Sequence, residues 1–146
     1  MRAIKFFAPQ GSHGWLANFS SHEFNLGGKN WPSVEHYFQA MKFKKRRIRA
    51  RIAGAATPAK AKSIAAANRD SKRRDWPQIR NLVMYNAIRA KFIQHPDLRR
   101  KLLKTRKRII IEDARDDLYW GCGADGSGKN QMGRLLMRLR NNLQGG

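Results

Sequence analysis

Cysteine is almost missing from this chain. Cys122 stands alone among 146 residues, which excludes an internal disulfide and any cluster of thiolate metal ligands. The four histidines, His13, His22, His36 and His95, lack metal-ligand spacing, so packing or surface roles are expected for them, with no metal and no cofactor. No apolar run is long enough to cross a bilayer and no signal-like segment is recognisable; a soluble, cytoplasmic protein without membrane contact is the expectation. Repeats and linkers are missing too, leaving one domain over residues 1–146, long enough for a real hydrophobic core.

Acids are scarce. The chain holds 10 Asp plus Glu against 31 Lys plus Arg, a net charge of +21, and up to residue 69 only Glu23 and Glu35 are acidic. The cations concentrate in two runs. Lys42, Lys44, Lys45, Arg46, Arg47, Arg49 and Arg51 form the first; Arg99, Arg100, Lys101, Lys104, Arg106, Lys107 and Arg108 form the second. A solvated face that aids solubility is the plain account of such runs. An excess of this size opposes compaction by self-repulsion and favours anionic partners, nucleic acid or polyphosphate.

Ile4–Phe7 reads as a short strand, and Phe24–Leu26 and Lys29–Trp31 as a hairpin around Gly27-Gly28. Helices are expected from about residue 34 to 44, across 59–67 behind the Thr57-Pro58 cap, from Asp75-Trp76-Pro77 through Phe92, and after Pro96. Ile109–Ile111 reads as a buried strand. A closing amphipathic helix carries Met132, Leu135, Leu136 and Leu139. The fold class is α+β, helix-rich with a few short strands.

Trp31 to Phe43 is the segment richest in chemistry. At roughly 100° per residue, Glu35, Gln39 and Lys42 fall within about 60° of one another on a helix. Tyr37, Phe38, Met41 and Phe43 cover the other directions, so the helix is expected to be buried and its three polar groups to face a cavity. The helix dipole and Lys42 should both favour ionised Glu35, a base or charge stabiliser rather than a proton donor. A plain helix-start acid is the competing account of Glu35.

Other motifs match and fail. Gly121-Cys-Gly-Ala-Asp-Gly126 fits the dinucleotide fingerprint but lacks the βαβ unit around it. Gly123 to Lys129 resembles a phosphate loop, yet Asn130 stands where a magnesium-binding hydroxyl belongs. What remains is a glycine loop opening a helix, either a phosphate cradle or a mere turn. Cys122 has no activating neighbour in sequence, and no serine sits in a nucleophile elbow. The acids from Glu112 to Asp117, between the isoleucine run and Leu118-Tyr119-Trp120, suit a ligand with sugars and a flat base, or form an acidic turn.

Val34-Glu-His-Tyr-Phe-Gln-Ala-Met-Lys-Phe43, with Leu16-Ala-Asn-Phe-Ser20, Ala56-Thr-Pro58, Arg74-Asp-Trp76, Ala90-Lys-Phe92, Glu112, Asp117, Trp120-Gly121 and Gly128-Lys-Asn-Gln-Met-Gly133, resembles the NADAR, or YbiA-like, family over nearly the whole chain. The resemblance implies a metal-independent hydrolase acting on a ribose–base N-glycosidic bond. Its substrate would carry ADP-ribose or a phosphoribosyl group. One branch removes ADP-ribose from guanine in DNA; another destroys phosphoribosylated riboflavin-biosynthesis intermediates. A non-catalytic ADP-ribose or nucleic-acid binding module is a third alternative. By resemblance Glu35, Lys42 and Asp117 are the catalytic group, and Asn18, Phe19, Gln39, Trp120, Gly121, Lys129 and Asn130 bind substrate. Lys42 would polarise the leaving base or attack a ring-opened ribose, and Asp117 would position water or hold a ribose hydroxyl. Trp120 would stack on a base, with core packing as its rival role. Capping is the rival role for Lys129 and Asn130. Two departures stand out: Ala17 replaces a serine, and the basic runs exceed those of the metabolite branch.

Overall fold

The computed structural model describes residues 1–145. They form two compact units, one of Asn18–Gln94 and one of Met1–Ala17 with the chain from His95 on.

The Asn18–Gln94 unit begins with the expected hairpin, β2 (Phe24–Leu26) antiparallel to β3 (Lys29–Trp31), with Phe24 opposite Trp31. Gly27 and Gly28 both have positive φ, 64° and 81°, the backbone a two-residue turn needs to match strand twist. Trp31 Nε1–H donates to Leu26 O at 3.0 Å, and the Tyr37 ring stands edge-on to Trp31 at 5.2 Å. Helix α1 (Val34–Ala40) follows. Ser33 is its N-cap, accepting from His36 N–H at 3.2 Å. His36 is buried and packs as expected, with Nδ1 2.7 Å from Ser33 Oγ and Nε2 3.0 Å from Ala55 O.

α1 ends at Ala40, earlier than the expected 44, and α2 (Arg46–Ala53) starts afresh. The reason lies in three apolar side chains that all reach the core, Phe43, Ile48 and Ile52. Ile48 and Ile52 share a helix face, but one unbroken helix would aim Phe43 about 140° from Ile48. The turn over residues 41–45 resolves this. It is closed by Arg73 N–H to Lys42 O at 2.8 Å and by Arg49 Nε–H donating to Phe43 O. α3 (Pro58–Ala67) is capped by Thr57, which accepts from Lys60 N–H at 3.1 Å, and buries Ala61 and Ala65. α4 (Trp76–Gln94) supplies Trp76, Met84, Ala87, Ile88 and Phe92 to the core. α1 packs against α2, α3 and α4 together, which is why six of its seven residues are buried.

In the other unit, β1 (Ile4–Phe6) runs parallel to β4 (Ile110–Glu112), Ile4 beside Ile110 and Phe6 beside Glu112. α5 is Pro96–Lys104 and α6 is Gln131–Gln144. The isoleucine run is not buried throughout: Ile110 is fully buried, Ile111 half-buried and Ile109 53% exposed. A strand in a two-stranded ribbon alternates faces, and α6 packs on this one through Met132, Leu135, Leu136 and Leu139. Among the described residues no helix is long and apolar enough to cross a membrane.

Candidate active site

Four of the residues singled out in sequence meet on and around α1. Glu35 is 7% exposed. Its backbone N–H, one of the orphan donors of a first helical turn, bonds Asn18 O at 3.2 Å, and Phe19 follows directly in that segment. Its Oε2 accepts from Gln39 Nε2 at 2.8 Å, the i, i+4 contact expected of one helix face. Gln39 Oε1 is buried without a hydrogen-bond partner. A buried acceptor left open is costly and rare in folded proteins, so this oxygen is suited to accept from a water or a ligand donor. Lys42 lies in the turn after α1, half-buried, its Nζ 5.4 Å from the Phe38 ring centre. Phe38 in turn packs edge-on against Trp76 at 5.0 Å.

The electrostatics correct one expectation. Burial pushes the Glu35 pKa up, against the Gln39 bond and the charges of Lys62 and Lys42, which pull it down. The pull of the lysines is outweighed by the loss of water around the carboxylate. Burial also lowers the Lys42 pKa. Glu35 opposes that shift, while Lys72 and Lys62 reinforce it. Relative to solvated side chains, burial shifts Glu35 toward its protonated form and Lys42 toward its neutral one. Lys62 on α3 and Lys72 were not singled out in sequence. No spacing rule links Lys62 to Glu35 or Lys72 to Lys42; the packing of α3 against α1 and the bond of the 73 amide to Lys42 O bring them near.

The other unit gathers Asp117, Trp120, Gly121, Lys129 and Asn130 around one loop. Asp117 Oδ1 accepts from the Tyr119 and Trp120 amides at 3.0 and 2.8 Å, which fixes the turn. Trp120 is half-buried, its ring edge-on to Tyr119 at 4.9 Å. Lys129 is exposed, with Nζ 5.7 Å from the Tyr119 ring. Gly121 leaves no room for a Cβ, which would meet Ala114 Cβ at 2.6 Å. Asn130, at φ 51°, turns its amide onto β4: Oδ1 accepts from Glu112 N–H at 3.0 Å and Nδ2 donates to Ile110 O at 2.9 Å. It acts as a strand neighbour for β4, and it makes no side-chain cap on α6.

The phosphate-cradle reading of the loop fails. From Gly126 to Met132 every backbone N–H already donates inside the chain, to Gly123 O, Asp125 Oδ1, Cys122 O, Leu118 O, Gly121 O, Tyr119 O and Trp120 O in order. A cradle needs amides that point at the ligand, and none remains in that stretch. Burial and the neighbouring Asp113 raise the Cys122 thiol pKa, which disfavours the thiolate a nucleophile needs. No cluster of three or more metal-ligating side chains occurs among the described residues.

The family model described as the NADAR domain matches residues 5–144. The chain belongs to the NADAR family. Among NADAR relatives, N-glycosidase YbiA of Escherichia coli strain K12 is 39% identical over 140 residues, 96% of this chain and 88% of that protein. A riboflavin biosynthesis protein of Vibrio vulnificus is 39% identical over 141 residues, 97% of this chain but 38% of the relative. The NMR structure of E. coli YbiA superposes with a TM-score of 0.90 at 38% identity, covering 98% of this chain and 85% of that one. The helix-rich α+β architecture is therefore the NADAR fold, and the α1 constellation lies inside the matched region.

Proposed function

We propose that this NADAR protein is an N-glycosidase that removes ADP-ribose from guanine in DNA, with Glu35 as acid–base group. The observation that carries the reading is the buried pair on α1: burial raises the Glu35 pKa and lowers that of Lys42. Breaking a ribose–base bond requires a proton for the departing base and stabilisation of a positive sugar carbon. Protonated Glu35 gives its proton to the base nitrogen as the C1′–N bond breaks, and the resulting carboxylate faces the developing charge. Lys42, as the neutral amine, adds to C1′ and gives up a proton to the Glu35 carboxylate; the C1′–O4′ bond then breaks with the proton passing to O4′, leaving an imine, which water hydrolyses to free ADP-ribose and the original amine. Gln39 Oε1 accepts from a ribose hydroxyl. The exposed cations of residues 44–47 and of α2 favour a nucleic-acid substrate carrier.

The riboflavin reading has its own support in the name of the V. vulnificus relative. An oligonucleotide bearing ADP-ribosylated guanine, incubated with wild type and Glu35→Gln and followed by mass spectrometry, separates the two. Release of ADP-ribose and intact oligonucleotide by wild type alone supports the proposal. Cleavage of a phosphoribosylated aminopyrimidine, with the oligonucleotide untouched, moves the protein to the riboflavin reading. Binding without cleavage of either leaves a recognition module.

A further inference from the structure

Lys91 is the most deeply buried cation of the Asn18–Gln94 unit, 1% exposed on α4, and the reaction does not use it. An apolar side chain of similar length would occupy the same space without the cost of desolvating an amine. Burial is strong enough to bring its pKa down to about 7. The amine therefore has something to hold. Its Nζ donates to Ser20 Oγ at 2.8 Å, and Ser20 Oγ lies 3.0 Å from His22 Nδ1. Ser20 closes the segment Asn18–Ser20, and Asn18 O receives the Glu35 N–H at 3.2 Å. Three residues beyond Lys91, Gln94 grips the same stretch of chain, accepting from Asn25 N–H and donating to Asn25 O, both at 2.8 Å.

We propose that Lys91 is a positioning residue: its bond to Ser20 fixes the Asn18–Ser20 segment, which in turn sets Glu35 and presents Asn18 and Phe19 to substrate. The functional half of this inference rests on Glu35 being the reacting carboxylate; the mechanical half, from Lys91 to the Glu35 amide, does not.

The test compares Lys91→Met and Ser20→Ala with wild type by NMR hydrogen exchange, thermal unfolding and turnover of the ADP-ribosylated oligonucleotide and the phosphoribosylated aminopyrimidine. Lys91→Met removes the donor and keeps the volume. Its Tm should equal or exceed that of wild type, while exchange of the Glu35 amide accelerates about tenfold or more and the amides of α2 and α6 keep their protection. On whichever substrate wild type turns over, kcat should fall by about tenfold with KM little changed. Ser20→Ala should reproduce the exchange effect, and the double variant should be no worse than either single one. Unchanged Glu35 exchange in Lys91→Met overturns the inference. So does a lowered Tm with protection lost evenly along α4, the mark of a merely structural residue. Should Lys91→Met not fold, Ser20→Ala decides alone by the same exchange criterion. Accelerated Glu35 exchange in an enzyme whose Glu35→Gln variant remains active supports the mechanical link and sinks the catalytic assignment instead.

Discussion

Glu35 keeps its proton to higher pH than a solvated glutamate because water is excluded from it, and two lysines and one amide bond do not reverse that. A carboxyl whose folded pKa lies above its unfolded value weakens the fold at all pH above the folded value, and the cost vanishes as pH falls below the unfolded one. Glu35→Gln is therefore expected to raise the urea midpoint at neutral pH, to lose that gain below about pH 4, and to lower kcat by about 10²–10⁴. Lys91 works the other way in pH. Its folded pKa of about 7 lies below the ordinary lysine value, so the unfolded chain binds the extra proton between the two. Stability from this group should rise with pH from about 7 to about 10 and be lowest below 7. The difference in unfolding free energy between wild type and Lys91→Met, measured across that range, should shrink steadily toward high pH. Lys42, with its pKa also lowered by burial, should be the site of a covalent adduct when turnover is quenched with borohydride; peptide mapping would reveal it, and Lys42→Arg should form none.

At the scale of elements, α1 has only seven residues and could not persist alone. It is held by Ser33 at one end and by α2, α3 and α4 around it, which is why Glu35 and Gln39 stay buried inside it. The loop between β4 and α6 is equally determined by neighbours. Gly133 lets α6 approach Ile110 O and the Asn130 amide, where any Cβ would collide. Asn130 ties the loop to β4 by two bonds. Asn130→Ala is expected to lower unfolding free energy by about 2–4 kcal/mol, through two lost bonds and a left-handed backbone that alanine disfavours. Asn130→Gly should recover about 1 kcal/mol of this by relieving the backbone alone. Chemical denaturation of the pair measures both.

For the whole molecule, charge dominates. At +21, with Arg46, Arg47 and Arg51 exposed, oligonucleotide affinity should fall steeply with salt. Replacing those three by Gln should reduce the slope of log K against log salt by about two to three. Fluorescence anisotropy over a salt series reads this directly. A flat response in wild type would count against DNA as substrate carrier. The small-substrate activity of the triple variant should match wild type, since none of the three touches the α1 constellation.

Element order and type, α2 excepted, were legible in the residues because caps, glycine turns and apolar spacing act locally: Ser33, Thr57, Gly27-Gly28 and the face of Met132, Leu135 and Leu139 needed no partner to be read. The pairing of Glu35 with Gln39 was legible for the same reason, as both sit on one turn-to-turn line. Four matters were decided only by tertiary structure. The end of α1 depended on where the core lay for Phe43, Ile48 and Ile52. The state of Glu35 depended on how much water the surrounding helices excluded, a quantity no charge pattern contains. The glycine loop's amides were claimed by carbonyls of residues 118–123 and by the Asp125 carboxylate, and Lys91 met Ser20 across 71 positions of chain. Local sequence sets what a segment prefers; desolvation and long-range partners, which exist only once the chain has packed, set what its polar groups can do.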